Sequence, residues 1–287
     1  MKSIITWLAI ITISLTFTVQ TYAKIDFESA RGIWLLDEGK GDKINDISGN
    51  ENHGELQGGK WVKGQDGSAL SLNGQDDRVI IPDSDSMYLE KAWSITSWVY
   101  VNKSENGYGH ILGKRPAGGT VANYAFRTNS TGTGWEAYFS RDGWKGAWNQ
   151  GQVKKDEWLY MTATYDAKDT IKIYENAEEI GSVGGMGKPG PQNDTDVNIG
   201  GWTNNTSETL NGMLMRVAIF DSVLEVEDIE ELMDKGLLTL LPVEPSDKTC
   251  YYMGKPQISA IGKVNRLQPV RYLNDWLHSF SDSCCKN

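Results

Sequence analysis

Cysteine is nearly missing from this chain of 287 residues: there are three, Cys250, Cys284 and Cys285, all close to the C-terminus. Disulfides therefore cannot hold the body of the chain together, and an odd count leaves at least one thiol unpaired or intermolecular. Histidine is equally scarce, with only His53, His110 and His278. No zinc-site spacing, Ser-His-Asp arrangement or Gly-rich phosphate loop can be assembled from this supply. Basic residues are outnumbered, 28 Lys and Arg against 38 Asp and Glu, for a formal charge of -10. The tail after residue 248 is basic, so the acidic excess lies in the body. Such a body repels phosphates, and nucleic acid is not an expected partner.

Long apolar runs are also missing, except at the start. Lys2 precedes a mostly apolar stretch over residues 4–19, and Thr21-Tyr22-Ala23 ends on a small residue. That pattern predicts a signal peptide over residues 1–23, with cleavage after Ala23. The run is short and threonine-containing for a membrane span, and no cysteine follows it to carry a lipid anchor. The expectation is a secreted or extracytoplasmic protein with no membrane span once the signal is removed.

What the chain does have is alternation. Along W-L-Y-M-T-A-T-Y, Leu159, Met161, Ala163 and Tyr165 fall on one face, with Trp158, Tyr160, Thr162 and Thr164 on the other. Period-2 order in aromatic and β-branched residues is the mark of a half-buried antiparallel strand. The acidic turn 166–169 and the turn Asn176-Ala177-Glu178 then reverse the chain twice. Further strands are predicted at 31–36, 58–61, 69–72, 78–81, 93–101, 110–114, 124–127, 135–140, 196–200 and 212–220. One helix is predicted over 225–235, with Val226, Ile229, Leu232 and Met233 at helical spacing and Gly236 as its stop. Many short strands with Gly, Asn and Asp turns predict an all-β, two-sheet antiparallel jelly-roll sandwich, with one short C-terminal helix and an irregular tail.

The order of motifs adds to this. W-L-L-D-E-G-K-G-D with D-I-S-G-N-E-N-H-G, then G-S-A-L-S-L-N-G-Q-D-D-R-V-I-I-P-D, W-S-I-T-S-W-V-Y-V, E-W-L-Y-M-T-A-T-Y-D with I-K-I-Y-E-N, and N-G-M-L-M-R-V-A-I-F-D-S-V-L occur in sequence. Together they resemble the LamG-like jelly-roll domains of the concanavalin A-like lectin/glucanase superfamily, over about residues 28–236. The resemblance implies two packed antiparallel sheets of roughly 12–14 strands. Met215-Arg216 stands where family members often carry an acidic pair. The domain is placed at 24–236 and a tail at 237–287, expected to be poorly ordered or frameshifted: Tyr251-Tyr252-Met253-Gly254 read one nucleotide forward gives a Trp, as in the short tails of relatives.

Two places could carry chemistry. In the loop 37–54, Asp46, Ser48, Asn50 and Asn52 set oxygen donors at every second position, which suits Ca²⁺ with Asp46, Asn50 and Asn52 as ligands. The family often binds calcium at one sandwich edge. The alternative is an Asx-rich turn that satisfies its own backbone. Among the tryptophans, Trp34, Trp93, Trp98 and Trp158 lie on apolar strands and are expected in the core. Trp135, Trp144, Trp148 and Trp202, with Tyr138, lie near Gly-rich polar segments and form a candidate sugar-stacking face. Arg141, Asp142 and Asn149 would supply hydrogen bonds there; edge-capping rings are the alternative.

Catalytic residues are not evident. The E-x-D-x-x-E-like string from Glu225 to Glu230 falls on the helix, where Glu225, Asp228 and Glu231 are expected on a solvated side rather than flanking a glycosidic bond. The leading expectation is a secreted, non-catalytic recognition module for glycan or extracellular protein. A divergent glycan hydrolase or lyase of the same superfamily, and a structural spacer, stand as alternatives.

Overall fold

The computed structural model describes residues 25–116, 122–141, 143–190, 192–202 and 208–240, without the side chains of Arg141 and Leu240. The signal-peptide expectation, most of the tail with its cysteines, Asp142 and the Arg141 side chain lie outside the described residues.

In chain order the strands are β1 (Ala30–Trp34), β2 (Lys43–Ile44), β3 (Gly54–Gln57), β4 (Lys60–Lys63), β5 (Ser68–Asn73), β6 (Arg78–Ile81), β7 (Trp93–Val101) and β8 (His110–Lys114). They continue as β9 (Tyr124–Thr128), β10 (Trp135–Arg141), β11 (Gly143–Gln150), β12 (Trp158–Tyr165), β13 (Ile171–Glu175), β14 (Glu178–Val183), β15 (Val197–Ile199) and β16 (Asn211–Phe220). Helices α1 (Val226–Lys235) and α2 (Leu237–Leu240) follow.

Among the described residues these strands form two 8-stranded antiparallel sheets. The first runs β14-β13-β12-β7-β16-β5-β4, with β1 also on β16, and the second runs β11-β10-β9-β8-β15-β6-β3-β2. Hairpin pairs such as β12–β13 and β10–β11 are joined by pairs distant in sequence, such as β7–β16, β5–β16 and β8–β15, as a jelly roll requires. The expected faces of β12 are realised: Leu159, Met161, Ala163 and Tyr165 enter the core between the sheets, and Tyr160 points the other way. The hairpin from β13 to β14 turns on Asn176 and Ala177, both at positive φ (51° and 67°). That geometry matches the right-handed strand twist.

Each sheet's outer face has a different fate. Outside the first sheet, Tyr160, Ala218 and Phe220 meet Ile229 and Leu232 of α1 in a second apolar cluster. Leu237, assigned by sequence to the tail, is buried there as well. Asp228 was expected on a solvated helix side. It is instead 9% exposed, and its carboxylate accepts the Glu225 backbone N–H at 3.0 Å, closing the helix N-terminus. Trp34 and Trp93 are core residues as expected, whereas Trp98 and Trp158 are only half-buried on the outer face, against Tyr160 and Tyr100. With α1 on the first sheet, the outer face of the second sheet carries the polar and aromatic side chains that could meet a ligand.

Candidate functional site

Alternation along β10 sorts the site from the core. Trp135, Ala137 and Phe139 point inward, and Glu136, Tyr138 and Ser140 point outward. The grouping of Trp135 with the sugar-stacking residues is therefore corrected: its ring is 0% exposed and packs on Phe126 at 5.8 Å. Across the β10–β11 hairpin Trp144 pairs with Ser140 and so takes the outward face, opposite to that of Trp135. Trp144 and Trp148, four residues apart on β11, share the outward face. The Tyr138 ring is stacked with Trp148 (centroids 5.2 Å, 27°) and meets Trp144 edge-on (5.4 Å, 80°). Gly146 pairs directly across from Tyr138. A Cβ at Gly146 would lie 2.6 Å from the Tyr138 Cβ and 2.9 Å from the Trp148 ring, so only glycine lets these rings close over the strand.

Beside the rings lies a charged network that the sequence reading did not single out. Arg127 of β9 donates through Nε to Glu136 Oε2 (3.2 Å) and through Nη1 to Glu208 Oε2 (2.9 Å). Arg115, just past β8, donates Nη1 to the same Glu208 oxygen and to the Tyr138 hydroxyl, both at 3.3 Å. His110 Nε2 lies 3.1 Å from Glu208 Oε2. Aromatic rings flank each guanidinium: Arg115 lies 4.1 Å from Trp202 and 5.1 Å from Trp144, and Arg127 lies 3.8 Å from Tyr108 and 4.8 Å from Tyr138. Cation–π contact and charge-assisted hydrogen bonding thus orient both side chains.

Electrostatics separates the two carboxylates. Burial alone would raise Glu208, but the His110 hydrogen bond and the charges around it, including Arg127 and Arg115, outweigh burial and hold it at about 2. Burial dominates at Glu136 and raises it, against the pull of Arg127. Burial likewise drives His110 down to about 4, despite its contact with Glu208, so near neutrality it is an uncharged imidazole.

Tyr108, Arg115, Arg127, Glu136, Trp144, Trp148 and Glu208 line one open pocket of about 330 Å³. Of the five rings expected at a sugar face, Trp144 and Trp148 line it, and Tyr138 and Trp202 form its buried backing (0% and 2% exposed). Arg141 falls at the end of β10, its side chain outside the described residues. Asn149 is turned to the opposite side of the strand end, accepting from Asn129 at 2.6 Å. Arg127 and Glu136 were legible as charged residues at outward positions of otherwise apolar strands. Glu208 lies between β15 and β16 in the chain, outside any strand, and no local pattern marks it.

The loop considered for calcium is placed against β1. Asp46 Oδ1 accepts the backbone N–H of Ile33 (2.9 Å) and Ser48 (2.8 Å), and Oδ2 accepts the Ser48 hydroxyl (2.8 Å) and the Asn52 N–H (2.9 Å). Asn50 Nδ2 donates to the Ala30 carbonyl, and Asn52 Nδ2 to the Arg31 carbonyl and Ser86. A cation here would have to replace donors already in place. Among the described residues, no group of three or more His, Cys, Asp or Glu side chains is placed to hold a metal. No helix among the described residues is long and apolar enough to cross a membrane.

Comparison with known structures agrees with the architecture. The binding domain of Paraclostridial Mosquitocidal Protein 1 superposes with a TM-score of 0.59 at 14% identity, covering 73% of this chain and 53% of that one. Domain 4 of AbnA, an extracellular arabinanase from Geobacillus stearothermophilus solved with arabinotriose, gives 0.57 at 15% identity, covering 71% and 98%. Trypanosoma rangeli sialidase, in complex with the inhibitor DANA, gives 0.55 at 13% identity, covering 70% and 32%. The chain thus spans about half of the toxin binding domain and about a third of the sialidase. At these identities the likeness is one of fold. No curated protein sequence matches the chain. The family model described as the concanavalin A-like lectin/glucanases superfamily matches residues 73–230, which include the charged network and the β10–β11 face. With that match over more than half its length, the chain belongs to the concanavalin A-like lectin/glucanases superfamily.

Proposed function

We propose that this protein is a secreted, non-catalytic recognition module that binds a glycan in the pocket over β8–β11. The observation that carries the reading is Trp144. It is 39% exposed, an unusually open position for an indole, and it stands at the rim of a pocket walled by hydrogen-bonding charges together with Tyr108 and Trp148. An open aromatic face beside oriented donors and acceptors is what a sugar needs: its C–H face stacks on the ring and its hydroxyls find fixed partners. The fold neighbours support the ligand class, since one of them was solved with arabinotriose. The N-terminal segment supports export. The test is a glycan array followed by calorimetry on positive glycans. Binding that Trp144→Ala abolishes supports the reading, whereas a blank array and no thermal shift with any glycan would remove it.

One observation favours a second reading, glycan hydrolysis. Glu136 and Glu208 share Arg127 in one pocket and are pushed in opposite directions, as an acid and its ionised partner would be. Reducing-end release from a glycan that binds, lost in Glu136→Gln, would promote it over simple recognition. Calcium support at the Asp46 loop remains a separate proposal, resting on the oxygen-rich spacing of Asp46, Asn50 and Asn52.

A further inference from the structure

The glycan reading leaves open what kind of sugar the pocket takes, and the unused donors bear on this. Among the described residues, Arg115 makes its hydrogen bonds through Nη1, and Arg127 through Nε and Nη1. Their faces are taken by aromatic rings. What remains is Nη2 of each guanidinium, together with Arg115 Nε, which is buried without a partner, and both residues line the pocket. Both Nη1 atoms reach one oxygen, Glu208 Oε2, at 3.3 and 2.9 Å, so the two guanidiniums stand close enough for one small group to span. A planar donor edge with its stacking faces already occupied selects a planar acceptor, and a carboxylate matches it better than a lone hydroxyl.

We infer that the preferred ligand is a carboxylate-bearing glycan, its acid group received by Arg115 and Arg127 while the sugar ring lies on Trp144. This rests on the glycan reading and names its substrate class. Glu208 is committed to both arginines and to His110, so it orients the guanidiniums rather than competing for their free edges. The remaining pocket acid, Glu136, accepts from Arg127 Nε at 3.2 Å, and that ion pair offsets its charge toward an incoming carboxylate.

The experiment uses the full chain and matched probes: oligogalacturonate, oligoguluronate, oligoglucuronate and sialyllactose, each beside its methyl-esterified or carboxyl-reduced counterpart, with neutral and sulfated oligosaccharides as further arms. At least one acidic series should bind, and its neutral counterpart should bind roughly ten- to hundredfold more weakly, the loss of a charge-assisted contact. Arg115→Gln should erase that difference while leaving the melting profile and near-UV spectrum in place. If Arg115→Gln does not fold, the ligand-pair comparison with the unmodified protein decides alone. Equal binding of acidic and neutral members overturns the carboxylate assignment and leaves glycan recognition standing. Sulfated probes binding as well as carboxylates, with steep salt dependence, would overturn it in favour of charge attraction. No binding in any arm removes both readings.

Discussion

Arg127 and Glu208 lie 81 residues apart in the chain and meet at 2.9 Å, with side chains only 9% and 10% exposed. The contact ties the outer face of β9 to the segment leading into β16. Glu208 also holds Arg115 and His110, but Arg127 is the cation that Glu136 and Glu208 share. Its loss strips Glu136 of its ion pair in a buried place, where an uncompensated charge costs far more than the pair contributes. Arg127→Met should lower stability by about 3–5 kcal/mol, measured as a shift in denaturant midpoint. A change below about 1 kcal/mol would show that water enters and solvates Glu208.

Two tryptophans nine positions apart should respond in opposite ways. Trp135→Ala opens a core cavity beside Phe126 and should cost about 3–5 kcal/mol. Trp144→Ala, at the rim, should leave unfolding nearly unchanged and weaken a bound glycan by roughly tenfold or more. Paired unfolding and titration curves check both, and a Trp144→Ala protein that still binds normally would exclude the pocket.

Gly146 offers a test of the platform that touches no ligand directly. Gly146→Val must push aside Trp148 and crowd the Tyr138 backbone region, since even a Cβ would approach the Ala137 carbonyl oxygen at 2.9 Å. The stacked pair should separate. The aromatic near-UV signal should fall, and glycan affinity with it, with a moderate loss of stability of about 1–3 kcal/mol.

Acidification should weaken the fold in two stages. His110 falls from 6.5 to about 4 on folding, so between those values the unfolded chain binds the extra proton. Its contribution is complete above 6.5 and is lost as pH falls towards 4. Glu208 falls from 4.5 to about 2, so its contribution is complete above 4.5 and is lost as pH falls through 2. Glu136, raised by burial, acts in the opposite sense near its own titration. Melting temperatures should therefore decline from pH 6.5 downward, and His110→Gln should flatten the upper part of that decline; parallel curves for the two proteins would contradict the assignment.

Asp46→Ala should destabilise the β1 edge by about 3 kcal/mol, because the Ile33 and Asn52 N–H groups lose their acceptor in a buried place. Scanning calorimetry in EDTA and in millimolar Ca²⁺ tests the cation proposal for the same loop. Coincident transitions would mean that the carboxylate is held by its four donors alone and would remove the cation proposal. A rise with calcium would establish a native-state cation site by linkage.

Strands with strong alternation were legible residue by residue: β6, β7 and β8 occupy the predicted spans 78–81, 93–101 and 110–114. So was α1, to within its first residue. β11 was not read as a strand because Gly143, Gly146 and Gly151 resemble turn signals, although the spacing of Trp144 and Trp148 fits one outward face. β2, of two residues, was missed for want of length, and β3, read as G-E-L-Q, for want of apolar and β-branched residues.

By itself, then, the sequence determined the all-β sandwich, the apolar face of each long strand, the closing helix and the presence of exposed-type aromatics near residues 144–148. These follow from local periodicity, which a strand or helix must display to bury one side. Only the tertiary structure decided that Trp135 belongs to the core and that Arg115, Arg127, Glu136 and Glu208 converge. Those outcomes depend on register between strands and on contacts across 81 or more residues, as between Arg127 and Glu208 or Arg115 and Glu208. No window of sequence contains both partners, so the fold alone brings the charges together and makes a pocket of them.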